Sequence, residues 1–182
     1  MLILALYCYK MELQGNGFTI REWRLTDAAS LQRNADNPNV SRFLLDRFPS
    51  PYTPADAEFW VALCQEQEPP VNFAIDIKGE VVGGIALDLR QDVYRKTPHI
   101  GYWLAEQYWG KGIMPQAVKL MTAYAFRSLD VICVMAYVFG KNTASMRVLK
   151  KAGYIKIGII PRSIIKDDEI MDEHIYAINK PR

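Results

Sequence analysis

The sequence predicts an α/β fold of the α+β kind: a mixed, mostly antiparallel twisted sheet of about seven strands, with helices on both faces. Three observations support this fold class. Stretches with β character, such as GFTIREWRL, alternate with stretches whose apolar residues recur at helical spacing. Two β stretches meet at a tight turn, Lys78-Gly79. A strand, a glycine turn, a helix and a strand follow one another over residues 97–139, which indicates one parallel β-α-β crossover.

The first half of the chain predicts one strand, two helices and a hairpin. Residues 17–25 alternate as a strand does, and residues 26–36 predict a helix with capping candidates at its start. Prolines break the next stretch into short helical pieces and loop. A second helix is predicted over about residues 53–67, with a proline in its first turn. The strands NFAIDIKG and EVVGGIALDL follow it.

The second half of the chain contains the crossover. Residues 97–105 predict a strand, and apolar side chains recur at helical spacing from residue 112 to about residue 128. VICVMAYVF is a near-continuous β run, the pattern of a strand buried on both faces. Asn142 is the expected N-cap of the next helix, and Gly153 is its expected C-terminal glycine. Two strands complete the sheet, over about residues 154–160 and 170–178.

Composition argues against several function classes. The formal net charge is +2, too small for a nucleic-acid-binding face, so no nucleic acid partner is expected. The three cysteines stand far apart and form no CxxC pair, and with only two histidines a zinc site would need Asp or Glu ligands that no motif supplies, so neither a disulfide framework nor a metal site is predicted. This balance favours a reduced, cytoplasmic compartment.

The N-terminal stretch MLILALYCYK resembles neither a signal peptide nor a membrane span. It lacks a basic segment before the apolar run and a small-residue cleavage site, and it is too short to cross a bilayer. We therefore expect residues 1–10 to be an extension of unknown role, residues 11–182 to form a single domain, and no membrane to be involved. Met11 is an alternative start.

Two glycines in EQYWGKGIMPQAV indicate that the backbone approaches a phosphate. A P-loop requires G-x-x-x-x-G-K-[ST], but Ala105 replaces its first glycine and Gly112 replaces its Ser/Thr. A dinucleotide fingerprint has a third glycine where Pro115 stands, and its ribose-binding acid ends a strand, whereas Asp130 precedes one. The P-loop therefore fails, and the dinucleotide fingerprint is only partly matched.

A third pattern, Q-x-x-G-x-G, is met by Gln107 and the two glycines. Together with the N-x-x-S of Asn142 and Ser145, it makes the chain resemble the GNAT N-acetyltransferases over about residues 17–178, and within them the RimJ/RimL type. The matching stretches are PYTPADAEFW, IGYWLAEQYWGKGIMPQAVKLMTAYAF, VFGKNTASMRVLKKAGY and EHIYAI. The resemblance implies the GNAT fold, with acetyl-CoA as cosubstrate and no metal.

The resemblance implies an acetyl-CoA-dependent N-acetyltransferase, a type of acyltransferase. Such an enzyme moves the acetyl group to a primary amine by direct attack in a ternary complex. The acceptor is then a protein N-terminus, such as that of a ribosomal protein, or a small amine, and a homodimer is compatible with the resemblance. Two other classes stay open: a non-catalytic CoA-binding sensor or interaction domain with the same fold, and a dinucleotide-dependent enzyme.

Residues that contact the cosubstrate are also implied by the resemblance. In the family, free backbone groups before the glycine turn pair with the pantetheine arm, which places Trp103 and Leu104 beside the thioester and directs a backbone N–H at its carbonyl oxygen. Asn142 is expected to contact CoA through its amide and also to cap its helix. The full expected set is Trp103, Leu104, Gln107, Trp109, Gly110, Lys111, Gly112, Ile113, Met114, Asn142 and Ser145.

Catalysis is expected to use Ser145 and His99. The tyrosine that protonates the leaving thiolate in many GNAT enzymes is absent, because Leu149 holds its position; the RimJ/RimL pattern instead puts a serine at Ser145, as a hydrogen-bond donor to the sulfur. His99 shares a strand face with Gly101 and Trp103, so it can accept the amine proton if that face meets the cleft. The alternatives are a serine bonded to its own helix and a structural histidine.

The acceptor side is expected to come from NADNPNVSRFLLDRFPSPYT, the variable helix-loop segment of the family. Candidates to line it are Arg42, Phe43, Phe48 and Tyr52. Asp172 matches an aspartate common in the last strand of the subgroup. It either faces the acceptor or pairs with a neighbouring cation, and we favour the structural role.

Overall fold

An eight-stranded sheet organises residues 11–181, which are the residues that the computed structural model describes. The expectations for residues 1–10 lie outside them. The strands are β1 Glu12–Gln14, β2 Thr19–Glu22, β3 Asn72–Ile77, β4 Glu80–Asp88, β5 His99–Leu104, β6 Cys133–Phe139, β7 Ile155–Lys166 and β8 Glu169–Asn179. Their order is β1-β2-β3-β4-β5-β6-β8-β7, and β5–β6 is the parallel pair. The predicted fold class is confirmed; the strand count differs because the short β1 pairs with β2.

Helices cover both faces of this sheet. They are α1 Ala28–Ala35, α2 Pro38–Ser41, α3 Pro54–Gln65, α4 Ile113–Ser128 and α5 Thr143–Ala152. Helices α1 and α3 enclose one buried cluster and α4 and α5 another, on opposite sides of the strands. Helix α3 begins with Pro54 in its first turn and α5 ends at Gly153 with a φ of +95°, both as predicted, and Thr53 and Asp56 add a capping box at the start of α3. Within the part of the chain described, no helix is long and apolar enough to span a membrane.

The prediction that β6 is buried on both faces is wrong. Its buried residues alternate: Val134, Ala136 and Val138 lie in the core beneath α4 and α5. Between them, Tyr137 and Phe139 are only partly buried. The apolar run is continuous because the second face of β6 lines a cleft with aromatic side chains, and sequence periodicity does not distinguish such a cleft from a core.

Candidate active site

Strands β5 and β6 are joined at one end and open at the other. Their parallel ladder is one bridge, between His99 and Met135, and the Met135 N–H donates to the Pro98 carbonyl at 3.0 Å. Past this bridge the strands no longer pair, so backbone groups on the facing edge of β5 are free of β6. The gap opens at the carboxyl ends of both strands, the position where open α/β sheets bind ligands.

Pairing with β4 decides which β5 backbone groups face this gap. The Ala105 N–H donates to the Val82 carbonyl at 2.8 Å, and hydrogen-bonded pairs alternate along an antiparallel ladder. Trp103 therefore directs its N–H and C=O toward β4, whereas Tyr102 and Leu104 direct theirs toward the gap. Of the two residues expected beside the thioester, Leu104 carries the backbone N–H on the gap side.

The glycine turn lies at the same edge, directly before α4. Gly110 and Gly112 have φ values of +75° and +78°, and Gly112 is the N-cap of the helix. A Cβ at either position would meet nothing within 4 Å, so the space over the turn is open. Together with the free N–H groups and the positive dipole end of α4, this surface suits a pyrophosphate. Lys111 places its Nζ 5.2 Å from the ring centroid of Tyr108, at the rim.

Two side-chain hydrogen bonds hold the turn in place. Trp109 Nε1 donates to the Leu104 carbonyl at 2.7 Å, which folds the turn back onto β5. Gln107 Nε2 donates to Asn34 Oδ1 at 2.8 Å, and Asn34 in turn donates to the Val81 carbonyl. The Gln107 amide therefore anchors the turn, with its two glycines, to α1.

Helix α5 places Ser145 against Tyr102 of β5, so that two hydroxyl groups meet. Asn142 Oδ1 accepts the Ser145 N–H at 3.0 Å, as an N-cap does, which leaves the Asn142 amide N–H groups for a ligand. Ser145 Oγ lies 2.8 Å from Tyr102 Oη and shares a hydrogen bond with it, rather than bonding to its own helix. Burial raises the pKa of Tyr102, against the opposing effect of the Ser145 bond, so the phenol stays protonated at neutral pH. Leu149 is buried in the core.

Aromatic rings line the other face of the gap, which we call the acceptor face. Strand alternation places His99, Gly101 and Trp103 on this face, as predicted. The Phe48 ring packs edge-on against Trp103 at a centroid distance of 5.9 Å, and Tyr137 lies 4.5 Å from the His99 ring. Gly101 is exposed, and a Cβ there would meet nothing within 4 Å, so the floor of the acceptor face is open.

His99 lies at the closed end of the gap and is engaged by Arg90. Arg90 Nη1 is 3.1 Å from His99 Nε2, and because a guanidinium only donates, Nε2 accepts and the neutral ring carries its proton on Nδ1. Burial and the Arg90 charge lower the pKa of His99, against a smaller opposing effect of Asp88. These contacts favour a structural role for His99.

We therefore expect His99→Gln to keep kcat/KM within about threefold of wild type, far from the loss of about 10²–10⁴-fold that removing a general base causes. The acid limb of the pH profile should also stay in place. A pH series of kcat/KM with one acceptor amine measures both. Loss of the acid limb in the variant would instead identify His99 as the base.

Three other predicted residues make contacts that need no ligand. Tyr52 is buried, and burial raises its pKa to about 12, which makes it part of the core. The Arg42 guanidinium lies 4.5 Å from the Phe43 ring centroid. Asp172 accepts the backbone N–H of Arg162 at 2.9 Å, and no ion pair within residues 11–181 includes it.

Ile113 and Met114 bury their side chains, so they can offer a ligand only backbone groups. Two further side chains near the gap, Tyr102 and Glu173, are not among the residues predicted from the sequence. Tyr102 precedes Trp103, and alternation alone places it on the α5 face. Glu173 is visible only through its pairing with Phe139. Among residues 11–181, no three His, Cys, Asp or Glu side chains group as metal ligands do.

Comparison with known proteins agrees with this geometry. The model of the acetyltransferase (GNAT) domain matches residues 18–155. A probable N-acetyltransferase YjcK of Bacillus subtilis is 41% identical over 86 residues, 47% of this chain and 48% of that protein. A ribosomal-protein-serine acetyltransferase of Escherichia coli is 29% identical over 105 residues, 58% of each. With these two curated relatives the chain aligns over about half of their length. The structure of Mycobacterium smegmatis RimJ in complex with CoA-disulfide superposes with a TM-score of 0.78 at 22% identity, covering 93% of this chain and 86% of that one.

Proposed function

The chain belongs to the GNAT acetyltransferase family, and from this premise we propose that it transfers the acetyl group of acetyl-CoA to a primary amine in a ternary complex. The observation that carries the proposal is the single-bridge ladder between β5 and β6 beside the open glycine turn. The gap offers the pantetheine arm a free strand edge, and the turn offers the pyrophosphate a row of N–H groups.

The residues present suit the chemistry of the transfer. The amine nitrogen attacks the thioester carbon, so the C–N bond forms as the C–S bond breaks. The Leu104 N–H, on the gap side of β5, would stabilise the oxygen that becomes negative. Either hydroxyl of the Tyr102–Ser145 pair can donate to the other, and the transfer would use the arrangement in which Tyr102 Oη donates to Ser145 Oγ. The Ser145 proton is then free to bind the sulfur as the thiolate leaves.

The acceptor we propose is a protein N-terminus, such as that of a ribosomal protein, or a small amine. One matched relative is named as a ribosomal-protein-serine acetyltransferase, and the family model covers the residues that form the gap. The open floor at Gly101 leaves room for an extended chain end. An α-amino group has a pKa of about 8, so it needs less help to lose its proton than a lysine does.

Thermal shift and thiol release together test the proposal. Acetyl-CoA should stabilise the protein by about 2.7 kcal/mol at a hundred times its Kd. Free thiol, detected with DTNB, should then appear with at least one member of a panel of small amines and peptides with free N-terminal serine or alanine. Stabilisation without thiol release on any acceptor would favour the non-catalytic sensor, and the absence of stabilisation would contradict CoA binding altogether.

Ser145→Ala should lower kcat about 100-fold and change the KM for acetyl-CoA much less, because the hydroxyl acts on the leaving sulfur. Tyr102→Phe removes one orienting hydrogen bond, so we expect a decrease in kcat of about tenfold. Steady-state thiol release measures both variants. Tyr154→Phe is the matched control, since its hydroxyl is bonded to Thr122 at 2.8 Å in the same core, and it should keep kcat. Equal losses in Tyr102→Phe and Tyr154→Phe would contradict the role of the pair.

A further inference from the structure

We propose that Glu173 is the carboxylate that binds the acceptor amine as an ammonium ion and takes its proton before attack, an inference that rests on the proposed function. Glu173 lies on β8, which pairs with β6 and β7 and not with β5. The register of β8 on β6 therefore determines where Glu173 lies relative to the gap.

The register places Glu173 on the acceptor face. Glu173 pairs with Phe139, the last residue of β6. The Gly140 N–H donates to the Asp172 carbonyl at 2.8 Å, which makes that neighbouring pair the hydrogen-bonded one. Phe139 and Glu173 therefore form a non-hydrogen-bonded pair, whose Cα atoms are about 4.5 Å apart with side chains on the same face. That face also carries Tyr137, which packs on His99.

Glu173 lies at the same level along the strand direction as Trp103, which was expected beside the thioester. The bridge between His99 and Met135 sets the level of the two parallel strands. Four residues further along each strand stand Trp103 and Phe139, so Glu173 lies level with Trp103 on the opposite side of the opening. An amine that enters between the aromatic rings has the thioester edge of β5 on one side and this carboxylate on the other.

Glu173 carries an unneutralised carboxylate within the described chain. It makes no hydrogen bond or ion pair to any of residues 11–181, whereas Glu169 on the same strand is paired with Lys141. Burial raises the pKa of Glu173. A partly desolvated carboxylate without a cation favours an incoming ammonium ion, and a higher pKa makes it a better proton acceptor.

No cation of the neighbouring elements forms an ion pair with Glu173 within residues 11–181. Asp172 and His174 flank Glu173 on β8, and alternation directs them to the opposite face. Lys166 binds Asp46 through Nζ at 2.6 Å, so its charge is already paired. The ionisable side chains of the adjacent elements are Cys133 and Tyr137 on β6, Lys156, Arg162 and Lys166 on β7, Glu169, Asp172, His174 and Tyr176 on β8, and Asp46 before α3.

The step balances without any further reactant. The ammonium ion of the acceptor gives one proton to the Glu173 carboxylate, directly or through a water, and becomes a neutral amine. Its nitrogen lone pair then forms the C–N bond while the C–S bond breaks and the electron pair leaves on sulfur. The second N–H proton neutralises the CoA thiolate through Ser145, and Glu173 returns its proton to solvent. Aromatic rings beside the amine stabilise the ammonium form before transfer.

The test is the pH dependence of Glu173→Gln, measured as kcat/KM with the fastest acceptor of the amine panel. At pH 6.5 we expect a loss of about 100-fold, within the usual range for a general base. The deficit should shrink as the pH rises toward the pKa of the amine, because the free amine then forms without a base. Glu173→Asp should lose less than the glutamine variant at low pH. Glu169→Gln, on the same strand, is the matched control and should follow wild type.

Three outcomes separate the inferences. An acetyl-CoA thermal shift in Glu173→Gln equal to that of wild type, together with the pH-dependent deficit, supports the assignment. An active wild type with a Glu173→Gln deficit that is absent, or constant from pH 6 to 9, overturns the role of Glu173 and leaves the proposed function intact. A wild type that releases no thiol with any amine refutes the proposed function itself.

Discussion

Replacing Gly110 with aspartate is expected to abolish the stabilisation that acetyl-CoA gives to the protein. The φ of +75° at Gly110 orients its N–H with those of the following residues, and the open space over the turn is where the pyrophosphate would lie. A carboxylate in that space would repel the phosphates and fill their position. Wild type should show a rise in Tm of roughly 5–10 °C at a hundred times the Kd, from about 2.7 kcal/mol of binding linkage. The variant should show none.

The variant should still fold, because aspartate tolerates the left-handed region better than most residues and the cost is about 1–2 kcal/mol. Gly110→Asn keeps the size and the backbone preference without the charge, so it should retain part of the shift. Gly79→Asp is the control for strain, since Gly79 has a φ of +87° and an equally open surrounding in the β3–β4 turn. It should keep the whole shift. A full acetyl-CoA shift in Gly110→Asp would show that the turn does not bind the pyrophosphate.

The parts of the site that the sequence predicted are the ones fixed by local chemistry. The glycine turn, the N-cap at Asn142 and the end of α5 at Gly153 each depend on a few neighbouring residues, and each is found where its pattern indicated. The alternation of β5 likewise placed His99 and Trp103 on one face. Such features need no knowledge of how distant segments meet.

The rest depends on contacts between distant positions. Tyr102 and Ser145 are separated by 43 positions, and they meet because α5 places Ser145 next to β5. Glu173 reaches the acceptor face through the register of β8 on β6, and a shift of one residue would turn it to the other face. The same limit explains why the prediction that β6 is buried on both faces is wrong: its apolar run faces a core on one side and a cleft on the other. Sequence periodicity counts apolar residues and does not say what they contact.

A buried ion-pair network holds α1 against strands β2 and β3. Helix α1 carries Asn34, to which the Gln107 amide is bonded. Arg21 on β2 donates to the carboxylates of Asp27, before α1, and Asp76, on β3, at 2.7–2.9 Å. Its remaining donor binds the Glu22 carbonyl at 2.9 Å, so all five N–H groups are used. The three charged side chains are almost completely buried. Burial lowers the pKa of Arg21, but the two carboxylates outweigh it and leave the pKa above its usual value.

Arg21→Met should therefore lower the free energy of unfolding by about 3–5 kcal/mol, because it leaves two buried carboxylates without a cation. For a domain of this size the loss corresponds to a fall in Tm of roughly 10 °C, measurable by urea titration or thermal melt. Arg33→Met is the matched control: its pair with Glu80 spans 3.2 Å with side chains 60% and 43% exposed, and its loss should cost no more than about 1 kcal/mol. Arg21→Lys keeps the charge but not the fork of donors, so it should fall between the two. Equal costs for Arg21→Met and Arg33→Met would mean that the buried carboxylates find other partners and that the network does not hold α1 against the sheet.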